Sequence, residues 1–256
     1  MCTFIIRYAP EDDWPVIVAT TRDEMQNRPW QAPARHWPDR DHVIAGRDEL
    51  AGGTWLGLND DGIVAGVLNR KDSLGPADDK RSRGELPLEA LDHATAHDAA
   101  EALTHLEAAS YRSFNMVIAD ATQAFWLKST GGSGNGVADS PVSMHEIPTG
   151  VSMVTAYDLN DTRGARTRHH LPKFRAAEIP DPETGDWSAW QTLLASRERA
   201  PDAGSEGALC IVTGHGYGTV SSSLIALPHI NRIGVKPIWL FAPGRPGEAE
   251  HEPLEL

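Results

Sequence analysis

Cysteine is nearly absent. Only Cys2 and Cys210 occur in 256 residues. Neither lies in a CxxC or CxxCH spacing, which excludes the zinc and covalent-haem frameworks those spacings signal. A Cys2–Cys210 disulfide would not persist in a reducing compartment, so both are expected as thiols. Long apolar runs are missing too, with none near the roughly 20 residues that span a bilayer. "TFII" runs straight into Arg7, without the basic start and longer apolar stretch of a secretory leader. A cytoplasmic chain with no membrane span is expected. Positive charge is in deficit, with 23 Lys and Arg against 36 Asp and Glu and a net charge of −13. That balance argues against nucleic acid as a partner, because phosphates are neutralised by Lys and Arg. No metal site is expected either. His93 and His97 stand four apart on a helix-like stretch, without a third ligand or a neighbouring Glu to complete a zinc motif. "GGSGNG" (Gly131–Gly136) lacks the Lys-Ser/Thr of a phosphate loop and reads as a turn.

What is present is a chain long enough to bury a core. "CTFIIRY" and "WPVIVATTRDE" are β-rich runs around the polar "APEDD", a hairpin pattern. Trp55–Leu58 and Ile63–Leu68 flank Asn59-Asp60-Asp61-Gly62 and predict a second hairpin. Leucines recurring between Gly84 and Ala109 predict helix, and Thr95 with Asp98 resembles a capping box that divides it in two. "FNMVIAD", "QAFWLKS", Met144–Ile147 and Val151–Thr155 read as strands. A helix is expected from "DLNDTRG" to about Ala177, and another near Trp187–Ala195. "ALCIVTG", "TVSSSLIAL" and "KPIWLFAP" return to strand, and the Pro-, Gly- and Glu-rich 243–256 reads as a loose tail. Strands at both ends with helices between predict one layered α/β domain over 1–256, whose first and last strands could pair.

Cys2 carries the most specific chemistry. Initiator methionine is trimmed when the next side chain is small, and cysteine qualifies. The freed α-amine, with a pKa near 8, would then take the thiol proton directly or through water. A nearby cation lowers a thiol pKa further, and Arg22 at the end of the adjacent strand is the candidate. Arg163, Arg166, Arg168 and Arg175 form a cationic stretch on an expected helix. It reads either as a solvated face or as a binder of an anionic group, since guanidinium holds carboxylate or phosphate bidentately.

The segments "MCTF", "TTRDE", "NRP" (Asn27–Pro29), "GGTWLG" (Gly52–Gly57), "GVLNR" (Gly66–Arg70), "RGEL" (Arg83–Leu86) and "YGTVSS" (Tyr217–Ser222) occur in this order over most of the chain. Together they resemble the NRDE family, also called the transport and Golgi organisation 2 family, with Thr21 replacing Asn in the name-giving tetrapeptide. More distantly the layout is similar to the choloylglycine hydrolase and penicillin V acylase group of N-terminal-nucleophile hydrolases. That resemblance implies an α/β (α+β) fold, an αββα sandwich of two antiparallel sheets between helical layers. It implies Cys2 as nucleophile toward an amide or acyl (thio)ester, Arg22 tuning the thiolate and Asn69 stabilising the oxyanion. With Asp23, these are the candidate catalytic residues. Trp30, Trp55, Arg70 and Arg163 are the candidate substrate-binding residues, and a small-molecule acyl or amide substrate is the expected partner. No cofactor is required. A non-enzymatic haem-handling or lipid-handling role is the other reading the resemblance implies, with haem as ligand. Three hydrolase positions differ: Met25 stands where they carry aspartate, Ala156 where they carry a second asparagine, and Leu224 near their late arginine.

Overall fold

The computed structural model describes residues 2–131 and 141–256. Met1 and the turn expected in "GGSGNG" beyond Gly131 lie outside them. Among the described residues the strands are β1 (Thr3–Tyr8), β2 (Val16–Met25), β3 (Trp30–Ala34), β4 (Val43–Asp48), β5 (Leu56–Asn59), β6 (Val64–Asn69), β7 (Phe114–Ala119), β8 (Ala124–Ser129), β9 (Ser143–Glu146), β10 (Gly150–Val154), β11 (Tyr217–Leu227), β12 (Ile238–Ala242) and β13 (Glu252–Pro253). The α-helices are α1 (Leu86–Leu91), α2 (Ala96–Thr104), α3 (Ala165–Ala176) and α4 (Ser188–Leu194). This is a mixed α+β fold with two antiparallel sheets, one ordered β10-β1-β2-β11-β12-β13 and the other running β3 to β9 in sequence. The chain divides into two compact units, Met1–Arg28 with Pro148–Leu256, and Pro29–Ile147.

In the first unit, β1 and β2 form the expected hairpin, with Thr3 opposite Thr21 and Tyr8 opposite Val16. Side chains alternate between faces along a strand. Ile5, Ile17 and Ala19 therefore share one face, and they pack with Leu171, Phe174, Trp190 and Leu194 of α3 and α4. On α3 the buried residues are Arg166, Thr167, His170, Leu171 and Phe174, the three-to-four spacing of a helix with one face inward. Phe174 meets Trp190 edge to face, with ring centroids 5.3 Å apart. Burying side chains of this size contributes about 1.5–3 kcal/mol each, and this layer holds α3 against β1 and β2. β2 pairs with β11 along its length, interrupted by a bulge between Thr219 and Ser221.

Three expectations are corrected in this unit. β1 is flanked by β10 and β2, so the first strand does not pair with the last. The segment 243–256 is not loose: β13 pairs with β12, and the Leu254 N–H donates to the Trp239 carbonyl at 2.8 Å. In "ALCIVTG" residues 208–211 are buried and Val212 is exposed, and the segment forms no named strand. Its backbone groups find partners elsewhere, Cys210 N–H at Ser196 O and Ile211 N–H at Thr219 Oγ1.

In the second unit β5 and β6 form the other hairpin, turning at Gly62 with φ +83. Asn59 ties that turn to a helix end: its Oδ1 accepts from Ile63 N–H, and its Nδ2 donates to the carbonyls of Leu91 and His93. Thr95 caps α2 by accepting from Asp98 N–H at 3.1 Å. His93 lies in the turn before α2 and His97 on the helix, so they do not share one helix face. Gly53 and Gly84 touch backbone to backbone. A Cβ on Gly53 would lie 2.4 Å from the Gly84 carbonyl carbon, and Thr54 N–H donates to Gly84 O at 2.8 Å. That contact joins the "GGTWLG" and "RGEL" segments.

Candidate active site around Cys2

Cys2 immediately precedes β1, and the pairing of Thr3 with Thr21 sets it beside the end of β2. Its Sγ lies 3.9 Å from the Asp23 backbone oxygen, with the thiol as donor. Arg22 and Asp23 follow one another in an extended strand, so their side chains leave opposite faces. Asp23 shares the face of Thr21 and Ala19, toward α3, and Arg22 the face of Thr20. What Asp23 offers the thiol is its carbonyl, while its carboxylate is occupied from the helix side.

The Asp23 carboxylate is fully buried and the Arg166 side chain is 5% exposed. Arg166 Nη1 donates to Asp23 Oδ2 at 3.0 Å and to Thr3 Oγ1 at 2.6 Å, and its Nε to the Glu206 carbonyl at 3.0 Å. Thr219 Oγ1 donates to Asp23 Oδ1 at 2.6 Å while accepting from Ile211 N–H at 2.8 Å. The bulge makes this possible: with Val220 as the extra residue, Thr219 stands opposite Asp23 and Ser221 opposite Arg22. A regular ladder would put Val220 there and leave the carboxylate facing an isopropyl group. Buried ion pairs gain little over apolar replacements, but removing one partner costs about 3–5 kcal/mol.

Burial pushes the Cys2 thiol above its usual range and the Asp23 charge adds to it, while the Asp23 carbonyl and the Arg22 cation pull it down. Burial likewise raises the Tyr217 phenol, with the Asp23 charge and Cys2 adding to the effect. The cation expected to assist Cys2 therefore acts in the expected direction and is outweighed by burial. A thiol raised in this way is a poor nucleophile at neutral pH without a base. While Met1 is attached, the Cys2 nitrogen is an amide and provides none.

Arg163 is exposed and held by the Asp161 carboxylate through Nε and Nη2, so its head group is already taken. Of the other arginines in that stretch, Arg168 pairs with Asp202 and Arg175 donates to the Val151 carbonyl. In the second unit, Asn69 ends β6 opposite Phe114, and Arg70 Nη1 donates to Asn115 Oδ1 at 2.5 Å. Trp126 Nε1 donates to the same oxygen at 3.2 Å. Trp30 and Trp55 meet edge to face at 5.8 Å. Among the described residues no group of three His, Cys, Asp or Glu is arranged to hold a metal ion. The sequence names Arg166 only within the cationic stretch, as a binder of an anionic group, and does not mark Thr219 or Tyr217 as site residues. Arg166 was legible, being the arginine in helical register with His170 and Phe174.

The family model for Transport and Golgi organisation 2 matches residues 1–235. The mouse Transport and Golgi organization 2 homolog is 31% identical over 134 residues, covering 47% of this chain and 45% of the relative. The human homolog is 29% identical over 136 residues, covering 48% and 47%. The match spans a little under half the length of these curated relatives. Among solved structures, a penicillin V acylase from Agrobacterium tumefaciens superposes with a TM-score of 0.56 at 14% identity, covering 94% of this chain and 83% of that one. A Caenorhabditis elegans N-acylethanolamine-hydrolyzing acid amidase ortholog gives 0.55 at 15%, covering 87% and 92%. A variant of a Clostridium perfringens conjugated bile acid hydrolase gives 0.55 at 11%, covering 98% and 92%. These likenesses establish the fold.

Proposed function

The chain belongs to the Transport and Golgi organisation 2 family and has the fold of N-terminal-nucleophile hydrolases; from that premise we propose that it cleaves or transfers the acyl group of a small-molecule amide or acyl thioester, with Cys2 as nucleophile. The observation that carries the reading is the placing of Cys2 Sγ against the Asp23 carbonyl, at the end of a strand that also bears Arg22. The reading requires Cys2 to become the first residue of the mature chain by loss of Met1.

The chemistry then balances within one residue and its substrate. The freed amine takes the thiol proton, directly or through water, and the thiolate forms a bond to the acyl carbon. The tetrahedral intermediate collapses as the amine returns the proton to the leaving nitrogen or sulfur. Water then releases the acyl group from Cys2, or a second acceptor takes it. Arg22 favours the thiolate by its charge. Asn69's role as oxyanion donor rests on the sequence resemblance alone, and such donors are typically worth about 3–4 kcal/mol of barrier.

The test is a screen of N-acyl amides and acyl thioesters against wild type, Cys2→Ala and Asn69→Ala, with haem titrated in parallel. Turnover lost in Cys2→Ala supports the reading. A lower kcat with little change in KM in Asn69→Ala supports the donor role. Tight stoichiometric haem binding with no Cys2-dependent turnover would replace the enzyme with a carrier.

A further inference from the structure

We propose that Arg166 is a positioning residue for Cys2, acting through Asp23 and Thr3 to fix both strands that set the thiol and to hold the Asp23 carboxylate charge. The inference rests on the reading of Cys2 as nucleophile and names the device that holds it ready.

The geometry is that of a three-point tie. One guanidinium nitrogen reaches Thr3, the residue after Cys2 on β1, and Asp23, the residue on β2 whose carbonyl meets the thiol. A second nitrogen is anchored on the Glu206 carbonyl, so the side chain cannot swing away without breaking all three contacts. The opposite oxygen of Asp23 is held by Thr219 from β11. Both carboxylate oxygens are thus engaged, one from α3 and one from β11, and the Asp23 carbonyl is fixed with them. A buried ion pair is a costly way to join a helix to a sheet when leucine and phenylalanine already do so two turns along. Its anchorage on Thr3, the residue after Cys2, and on Asp23, whose carbonyl meets the thiol, gives it a different use. The Asp23 charge disfavours the thiolate, and a cation held against that carboxylate offsets its field. Among the described residues of this unit, the charged and titratable groups that act on Cys2 or on its neighbours Asp23 and Tyr217 include Asp23, Arg22 and Glu24 from β2, Tyr217 from β11 and Arg166 from α3, together with the α-amine once Met1 is removed.

The experiment is the pH dependence of Cys2 alkylation by iodoacetamide, read by peptide mass spectrometry in the full chain, for wild type, Asp23→Asn, Arg166→Met and Arg166→Lys. Asp23→Asn keeps the shape of the carboxylate and removes its charge, so the inflection should move down by about 0.5 pH unit or more. Arg166→Met leaves that charge unopposed, so the inflection should move up, and Arg166→Lys should return it toward wild type. A purely structural tie would shift both neutralising variants in the same direction, or neither, and either result overturns the proposal. If Arg166→Met does not fold, Asp23→Asn decides alone: an unmoved inflection overturns it. Opposite shifts without any acyl turnover would leave the positioning role standing and remove the hydrolase reading.

Discussion

Thr219 stands opposite Asp23 across the β2–β11 ladder because Val220 bulges from β11, and its hydroxyl serves two buried partners at once. It donates to the Asp23 carboxylate and accepts from the Ile211 N–H. Thr219→Val keeps the shape and removes both hydrogen bonds. The expected loss is about 3 kcal/mol of unfolding free energy, since each orphaned polar group costs about 1–3 kcal/mol. Thr219→Ser should recover most of it. Chemical denaturation measures both, and equal stability of wild type and Thr219→Val would show that the hydroxyl is replaceable.

Thiol reactivity separates the two cysteines. Cys210 is 1% exposed and burial raises its thiol, whereas Cys2 is half-buried at the end of a strand. Near neutral pH, iodoacetamide should label Cys2 at least about tenfold faster in chains that have lost Met1, because the α-amine titrates near 8. Chains that retain Met1 should react slowly at Cys2, the thiol there being raised. Equal rates at Cys2 and Cys210 in the trimmed chain would mean that the amine does not activate the thiol.

Much of this was legible in the sequence. Alternating apolar residues around "APEDD" and a Gly-ended turn before Ile63 gave β1–β2 and β5–β6, and the Thr95 cap separated α1 from α2. β3 is hard to read because it carries Pro33 and mostly exposed residues, leaving little alternation, and β4 because it is buried on both faces over Val43–Gly46 and so does not alternate either. "ALCIVTG" has strand composition, yet its neighbours satisfy its backbone without a ladder. At the site, Cys2 and Arg22 were visible as residue types at strand ends. The Asp23–Arg166 pair was not, since it joins residues 143 apart and depends on a bulge that no local pattern marks. Arg163 drew attention by its charge, but helical register, which favours Arg166, decides which arginine turns inward.

Gly53 tests the junction of the two glycine-bearing segments in the second unit. Gly53→Ala would drive a methyl group to 2.4 Å from the Gly84 backbone, which neither chain can relieve by a rotamer change. A loss of about 2–3 kcal/mol is expected, in the range of overpacked cores. Gly84→Ala meets its nearest atom at 3.3 Å and should cost clearly less. Thermal unfolding ranks the pair, and the reverse order would contradict this packing.

Acid should weaken the fold through His170. Burial, with His169, Lys173 and Arg166 adding to it, lowers this imidazole to about 4 from an ordinary 6.5. The unfolded chain therefore binds the proton first. Stability is full above pH 6.5, falls as pH drops through the window to about 4, and levels off below it, by at most about 3 kcal/mol. His251, also lowered to about 4 by burial, titrates in the same window. His170→Gln should flatten part of the decline in unfolding free energy between pH 6.5 and 4; an unchanged slope would rule out His170 as a source.

The most direct measurement is peptide-mapping mass spectrometry of the purified chain, acid-quenched during exposure to a reactive acyl thioester. The mature chain should begin at Cys2, with the trapped acyl group on that residue. Asn69→Ala should accumulate the adduct more slowly and Cys2→Ala not at all. A chain that keeps Met1 throughout and carries no acyl group on Cys2 would contradict the reading of Cys2 as nucleophile.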